Sequence, residues 1–200
     1  MNDKKPNHYH LPSINDLKNH NAAIFYDCDG VLTDNRVLVT ETGVESVFFN
    51  RSDGLAISQF RNLGVHQAII STETNPVVAR RAEKLHIPVI HKLDTDPVQR
   101  DKGEVLRSYC TENNISLEYS IFIGNDINDL PALKLVGYPC CPADAEEEVK
   151  TFITERLRKD GKAWISTRTG GCGVIRELMR ELESSATSSL MTLTIPHPKR

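Results

Sequence analysis

The feature that most restricts this chain is a series of short apolar runs without polar alternation, separated by stretches of helical periodicity. "AAIFYD" (22–27), "HQAIIST" (66–72), "IPVIH" (87–91), "YSIFIGND" (119–126), "YPCCPA" (138–143) and "AWIS" (163–166) read as strands. Between them, "DGLAISQFRNLG", "NPVVARRAEKL", "DKGEVLRSYCTEN", "DLPALKLVG", "DAEEEVKTFITERLRK" and "GVIRELMRELE" place apolar residues at helical spacing. Strands that are apolar on both faces and alternate with helices predict an α/β fold: a Rossmann-like parallel sheet with helices on both sides. "RVLVTETGVESVFF" (36–49) breaks the pattern. Two β-rich runs around Thr42-Gly43 predict a hairpin flap, and the interval from Asp29 to Ser71 leaves no room for a large cap domain.

Residues 1–20 are polar and read as a flexible N-terminal arm, with His8 and His10 solvated in it. A single domain then spans 21–184, and the Ser/Thr-rich 185–200 reads as a flexible C-terminal tail. A net charge of −3 argues against nucleic acid as a partner, and no apolar run approaches a membrane span. The five cysteines show no metal-type spacing and read as reduced thiols of a cytoplasmic protein.

In open parallel sheets, ligands bind beyond the carboxyl ends of the strands. The polar residues of this chain gather at those ends. Asp27 and Asp29 close the first strand, where strand alternation would point both carboxylates to one side. Such a pair repels unless a cation or a shared proton compensates. Ser71 and Thr72 close the second parallel strand, Lys102 opens a helix, and Asn125, Asp126 and Asp129 follow "SIFIG". Carboxylate and amide oxygens suit Mg²⁺. A carboxylate beside that ion can attack phosphorus, a hydroxyl and a lysine can stabilise the phosphoryl oxygens, and a second carboxylate can serve the leaving group as acid and water as base.

The ordered set "DCDGVLTDNRV", "GVESVFFNRSDGLAI", "AIISTETNPVVARRAEKL", "GNDINDLPAL" and "TGGCGVIREL" resembles the haloacid dehalogenase superfamily of phosphotransferases. Within it, the chain is similar to 3-deoxy-manno-octulosonate 8-phosphate phosphatases and to the phosphatase-like domain attached to acylneuraminate cytidylyltransferases. The resemblance implies a Mg²⁺-dependent phosphatase of phosphorylated 2-keto-3-deoxy sugar acids, serving sialic acid or octulosonate (lipopolysaccharide) biosynthesis. Asp27 would be the nucleophile and Asp29 the general acid/base, with its backbone carbonyl on the metal. Ser71, Thr72 and Lys102 would hold phosphate. Asn125, Asp126 and Asp129 would complete the metal site with Asp27 and Asp29, and Asn50, Arg51 and Asp53 would face substrate.

Asn125 stands where many members carry Asp, and Ser52 and Cys172 where the octulosonate phosphatases carry basic residues. The resemblance also implies a homotetramer whose neighbouring chains cover each site, with Val37, Val39, Val47 and Phe49 as the apolar face of the hairpin. The alternative it carries is a weakly active or non-catalytic oligomerisation module.

Overall fold

The computed structural model describes residues 9–72, 76–91 and 101–191. The elements run α1 (Ile14–Asn19), β1 (Ala23–Tyr26), β2 (Leu38–Val39), β3 (Glu45–Ser46), α2 (Arg51–Asn62), β4 (His66–Ser71), α3 (Pro76–Leu85) and β5 (Val89–His91). They continue with α4 (Lys102–Glu112), β6 (Ile121–Ile123), α5 (Leu130–Leu133), β7 (Tyr138–Cys141), α6 (Glu147–Asp160), β8 (Trp164–Ile165) and α7 (Val174–Met191). Six strands form one sheet in the order β5-β4-β1-β6-β7-β8, and every neighbouring pair is parallel. This is the α/β sheet expected from the apolar runs.

Alternation along each strand feeds two cores. On β1, Ile24 and Tyr26 join α1, α2, α3 and α7 on one face, while Ala23 and Phe25 join α4, α5 and α6 on the other. β4 and β6 divide in the same way: Ile69, Ile121 and Ile123 go to the first core, and Ala68, Ile70 and Phe122 to the second. That double burial is why these strands lack polar alternation in sequence. From β1 the chain runs outward through β4 to β5, then returns through α4 to β6 on the other side of β1. The order reverses beside β1, which puts a crevice beyond its carboxyl end.

The hairpin forms where expected, with Leu38 opposite Ser46 and Val39 opposite Glu45, and Gly43 takes φ 78° in its turn. Its ladder is only two residues long on each side and forms a separate sheet. No cap domain interrupts the chain between β1 and β4.

Both domain borders move outward from the sequence reading. Ser13 and Asp16 make a reciprocal capping box that starts α1, and Leu11 and Leu17 are buried in the first core, so residues 11–20 are part of the domain. The polar composition of that stretch hid two apolar anchors. At the other end, α7 continues through Met191, into the stretch read as tail. His8 lies outside the described residues, and His10 is exposed, its amide donating to Gly161 O at 2.8 Å.

Cys28, Cys110, Cys140 and Cys141 are buried, as small apolar side chains, and Cys172 is exposed. Among the described residues, no helix is long and apolar enough to cross a membrane.

Candidate active site

Three adjacent strands, β4, β1 and β6, end at the same edge and deliver Ser71, Asp27 and Asn125. Asp27 follows β1 directly; its backbone N–H donates to Ile123 O at 2.9 Å and so ties it to β6. Strand alternation places its side chain on the face of Ala23 and Phe25, where α4 packs. There Lys102, the first residue of α4, meets it: Nζ lies 2.7 Å from Asp27 Oδ1 and 2.6 Å from Asp129 Oδ1. All three side chains are buried. Burial works against the Lys102 charge, but Asp27 and Asp129 outweigh it and hold the ammonium above the usual lysine value. The Asp27 carboxyl is pushed up by burial and by Asp129, while Lys102 and the Cys28 N–H pull it back.

Asp29 is positioned differently from the sequence expectation. β1 ends at Tyr26, and the chain turns over 28–32, with Asp29 at φ −80° and ψ 126° and Gly30 at φ 77°. Strand alternation therefore does not reach Asp29, and the two carboxylates acquire separate partners. Thr33 Oγ1 donates to Asp29 Oδ1 at 3.2 Å, a contact that sequence reasoning missed although Thr33 lies in the quoted motif. Glycine is required at position 30 twice over: the φ is left-handed, and a Cβ there would lie 2.0 Å from Asn125 Nδ2.

The Asn125 amide faces two oxygens, Asp29 O at 2.7 Å and Asp27 Oδ2 at 3.2 Å. With its nitrogen inward it donates to both. Turned over, it sets Oδ1 beside them, and three oxygens from two loops converge. This set fits Mg²⁺, which takes hard oxygen donors, needs few from the protein and keeps several waters. Among the described residues no group of three or more His, Cys, Asp or Glu is placed to hold a metal ion, because two of these three donors are a backbone carbonyl and an amide.

Asp126 and Asp129 have other occupations. Asp126 caps a short 3₁₀ turn (Ile127–Asp129), its Oδ1 accepting from Ile127 N at 2.6 Å. Asp129 has no exposed surface; Oδ1 takes Lys102, and Oδ2 accepts from the backbone N–H groups of Asn125 and Asp126 at 2.8 and 3.2 Å. It closes the loop that presents Asn125. Gly124 makes room for it, since a Cβ there would stand 2.6 Å from Asp129 Cβ.

Ser71 is buried at the end of β4 and Thr72 is half-buried just beyond it. The three residues expected at the substrate divide. Arg51 is exposed in the first turn of α2. Asn50 caps α2, accepting from Ser52 N at 2.9 Å, and donates to Gly171 O at 3.2 Å. Asp53 is buried and turned toward α7, where Oδ1 accepts from Arg176 N at 2.9 Å; it caps a neighbouring helix.

A cleft of about 260 Å³ opens beside Asp29, between the hairpin and the first turn of α3. Val47, Val77 and Val78 give it apolar walls, and Asn35, Arg36 and Glu45 a polar rim. Residues 73–75, which join Thr72 to α3, lie outside the described residues.

A parallel sheet with an aspartate, a buried lysine and a second acidic loop at its carboxyl edge defines a Rossmann-like protein whose site suits phosphoryl transfer. A model of the haloacid dehalogenase-like hydrolase family matches residues 91–161. A solved structure from Streptomyces avermitilis MA-4680, described as a HAD family hydrolase, is 40% identical with a TM-score of 0.72, and the match covers 85% of this chain and 93% of that one. The 3-deoxy-D-manno-octulosonate 8-phosphate phosphatase KdsC of Haemophilus influenzae is 29% identical over 157 residues, 78% of each protein. The corresponding phosphatase of Moraxella catarrhalis, solved with magnesium ion, phosphate ion and a KDO molecule, is 26% identical with a TM-score of 0.70, covering 88% of this chain and 96% of that one. The chain belongs to the haloacid dehalogenase-like hydrolases.

Proposed function

We propose that this chain is a Mg²⁺-dependent phosphatase that hydrolyses a phosphorylated 2-keto-3-deoxy sugar acid, of the octulosonate 8-phosphate or nonulosonate 9-phosphate type, through an aspartyl-phosphate. The observation that carries the reading is the environment of Asp27. One carboxylate oxygen is held by Lys102, and the other lies at the Asn125 and Asp29 oxygen set. A scaffold has no use for two buried carboxylates around one ammonium at an open strand end.

In this reading Asp27 attacks phosphorus, the bond to the sugar oxygen breaks, and the leaving alkoxide takes a proton from the Asp29 carboxyl. Asp29 then accepts a proton from water as that water attacks the aspartyl-phosphate, which returns Asp27 and releases inorganic phosphate. Lys102, Ser71 and Thr72 stabilise the phosphoryl oxygens. Asp27, the Asp29 carbonyl and Asn125 would hold Mg²⁺, which when bound supplies positive charge against the phosphate. Thr33 fixes the Asp29 side chain.

The same reading makes the protein a homotetramer. Leu38, Val39, Val44 and Phe48 are each more than half exposed and supply an apolar surface for neighbouring chains. Release of phosphate from a panel of sugar phosphates, with and without Mg²⁺, tests the function, with Asp27→Asn as the control. The reading requires Mg²⁺-dependent turnover of a sugar-acid phosphate that Asp27→Asn abolishes. Turnover near wild type in that variant would exclude the aspartyl-phosphate.

A further inference from the structure

Asp29 and Asn125 lie beyond the strands that lead to them: β1 ends at Tyr26 and β6 at Ile123. Inside the site the Asn125 nitrogen can fasten the two loops, by donating to Asp29 O and Asp27 Oδ2. An amide that presents Oδ1 to a cation cannot make that bond, and three oxygens then face one another. The separation of the loops has to be fixed from outside. An outer path does this. The Asn125 carbonyl accepts from Glu146 N at 2.8 Å, at the end of the loop between β7 and α6. That loop is joined twice to the one between β8 and α7: Ala143 N donates to Arg168 O at 2.9 Å, and Asp144 Oδ1 accepts from Gly170 N at 2.8 Å. The next residue, Gly171, donates to Val31 O at 3.0 Å, inside the turn that carries Asp29. There backbone lies directly on backbone, since a Cβ on Gly170 would stand 2.1 Å from Gly30 O. Along this path every bond joins main-chain groups except the one made by the Asp144 carboxylate.

Resting on the Mg²⁺ site of the phosphatase reading above, we propose that Asp144 is a positioning residue for that site. It acts through Gly170. A hydrogen bond to an ionised carboxylate is stronger than one to a neutral acceptor, and here it holds the 168–171 loop against the turn of Asp29. The Asp29 carbonyl and the Asn125 amide thereby keep one separation when their direct bond is given up. Mg²⁺ demands near-ideal octahedral geometry at short donor distances, so a looser spacing weakens its binding although no donor has been removed. Asn50 Nδ2 supports the same loop from α2, donating to Gly171 O at 3.2 Å, but it does not reach the Asn125 side of the path.

The test uses the full chain, with Mg²⁺ alone as the probe. Its binding is read from the rise in melting temperature across a Mg²⁺ titration. The Mg²⁺ concentration giving half-maximal phosphate release is measured alongside. Wild type, Asp144→Ala and Asp144→Asn are compared. Asp144 is exposed, so both variants keep the fold, checked by melting without Mg²⁺. Asp144→Ala should weaken Mg²⁺ binding about fivefold, short of the roughly 10–100-fold lost with a group that touches a metal ligand directly. Its kcat at saturating Mg²⁺ should fall by a smaller factor. Asp144→Asn keeps an acceptor for Gly170 N and should return Mg²⁺ affinity to within about twofold of wild type.

Unchanged Mg²⁺ affinity in Asp144→Ala, whatever its melting temperature, overturns the proposal and leaves Asp144 a purely structural residue. An equal loss in both variants also overturns it, because the carboxylate would then act by its charge rather than through Gly170. In either case the phosphatase reading stands. Wild-type protein with neither a Mg²⁺-dependent shift nor Mg²⁺-dependent turnover overturns the metal site itself, and this inference with it.

Discussion

Lys102 Nζ stands 2.7 Å from Asp27 Oδ1, although the two residues come from different elements and meet only through the packing of α4 on the sheet. The start of α4 sets the meeting. Asp101 and Glu104 form a reciprocal capping box, so Lys102 is fixed as the first helical residue and projects over the end of β1. Asp129 receives the same ammonium at 2.6 Å, and one positive charge therefore serves two buried carboxylates. Lys102→Ala should leave both uncompensated. The expected loss is about 3–5 kcal/mol of unfolding free energy together with loss of turnover. Urea titration and phosphate release measure the two separately; a fully stable, inactive variant would make Lys102 catalytic without being structural.

Asn125 supplies a neutral amide where a carboxylate would add a charge beside Asp27 Oδ2 and Asp29 O. Asn125→Asp should tighten Mg²⁺ binding and lower the Mg²⁺ concentration giving half-maximal activity. It should also destabilise the metal-free protein, because a carboxylate set against Asp27 Oδ2 and the Asp29 carbonyl replaces an amide able to donate to both. The thermal shift on adding Mg²⁺ should accordingly be larger than in wild type. An unchanged half-saturation point would remove Asn125 from the ligand set and turn attention to Asp126.

The difference between what could be read in the chain and what could not has a physical pattern. Doubly buried strands announce themselves, because every position of Ile121–Ile123 or of Ala23–Tyr26 must be apolar. Side chains following such a strand fall at its carboxyl end whatever the details, so Asp27, Ser71 and Asn125 could be placed from the sequence. Their partners could not. The strand period stops at Tyr26, so alternation could not say that Asp29 turns to Thr33. Asp53 read as a polar residue in a substrate motif because its real partner, the start of α7, lies far along the chain. The hairpin showed the same limit. Its existence was legible in Thr42-Gly43, and Val37 and Val39 are exposed as read, but Val47 lines the cleft and Phe49 packs on the first core, since a two-residue ladder does not carry alternation that far.

Asp53 provides a pH signature. Burial raises its carboxyl, opposed by backbone N–H groups of Arg176, Ile175 and Gly173 and by Arg81. Since the folded value lies above the unfolded one, near 3.9, its favourable contribution is complete below the unfolded value. That contribution is lost as pH rises through the folded value. Asp53→Asn retains an acceptor for Arg176 N and cannot ionise. The stability difference between wild type and this variant should therefore shift against wild type as pH rises from about 4 toward neutrality. Unfolding free energies at a series of pH values decide it; parallel curves would mean that Asp53 titrates alike in both states.

The hairpin governs the last prediction, and its geometry changes which residues should be tested. Val47 faces the cleft with Val77 and Val78, and Phe49 packs on the first core beneath Arg81, whose guanidinium carbon lies 5.2 Å from the ring centroid. A charge at either position would disturb the chain itself. Leu38 and Phe48, at 59% and 72% exposure, are the residues a neighbour can cover. If the active form is a tetramer closed by its hairpins, Leu38→Glu with Phe48→Glu should yield monomers, because charge buried at an interface without a partner is costly. Monomer stability should stay within about 0.5 kcal/mol, since neither side chain supports the core. Turnover of the sugar phosphate should collapse, because the site lies at an open edge and phosphoryl transfer benefits from exclusion of water. A small activated aryl phosphate, which needs less enclosure, should retain most of its rate. Light scattering paired with kinetics reads both effects, and a wild-type monomer at full activity would show that each chain closes its own site.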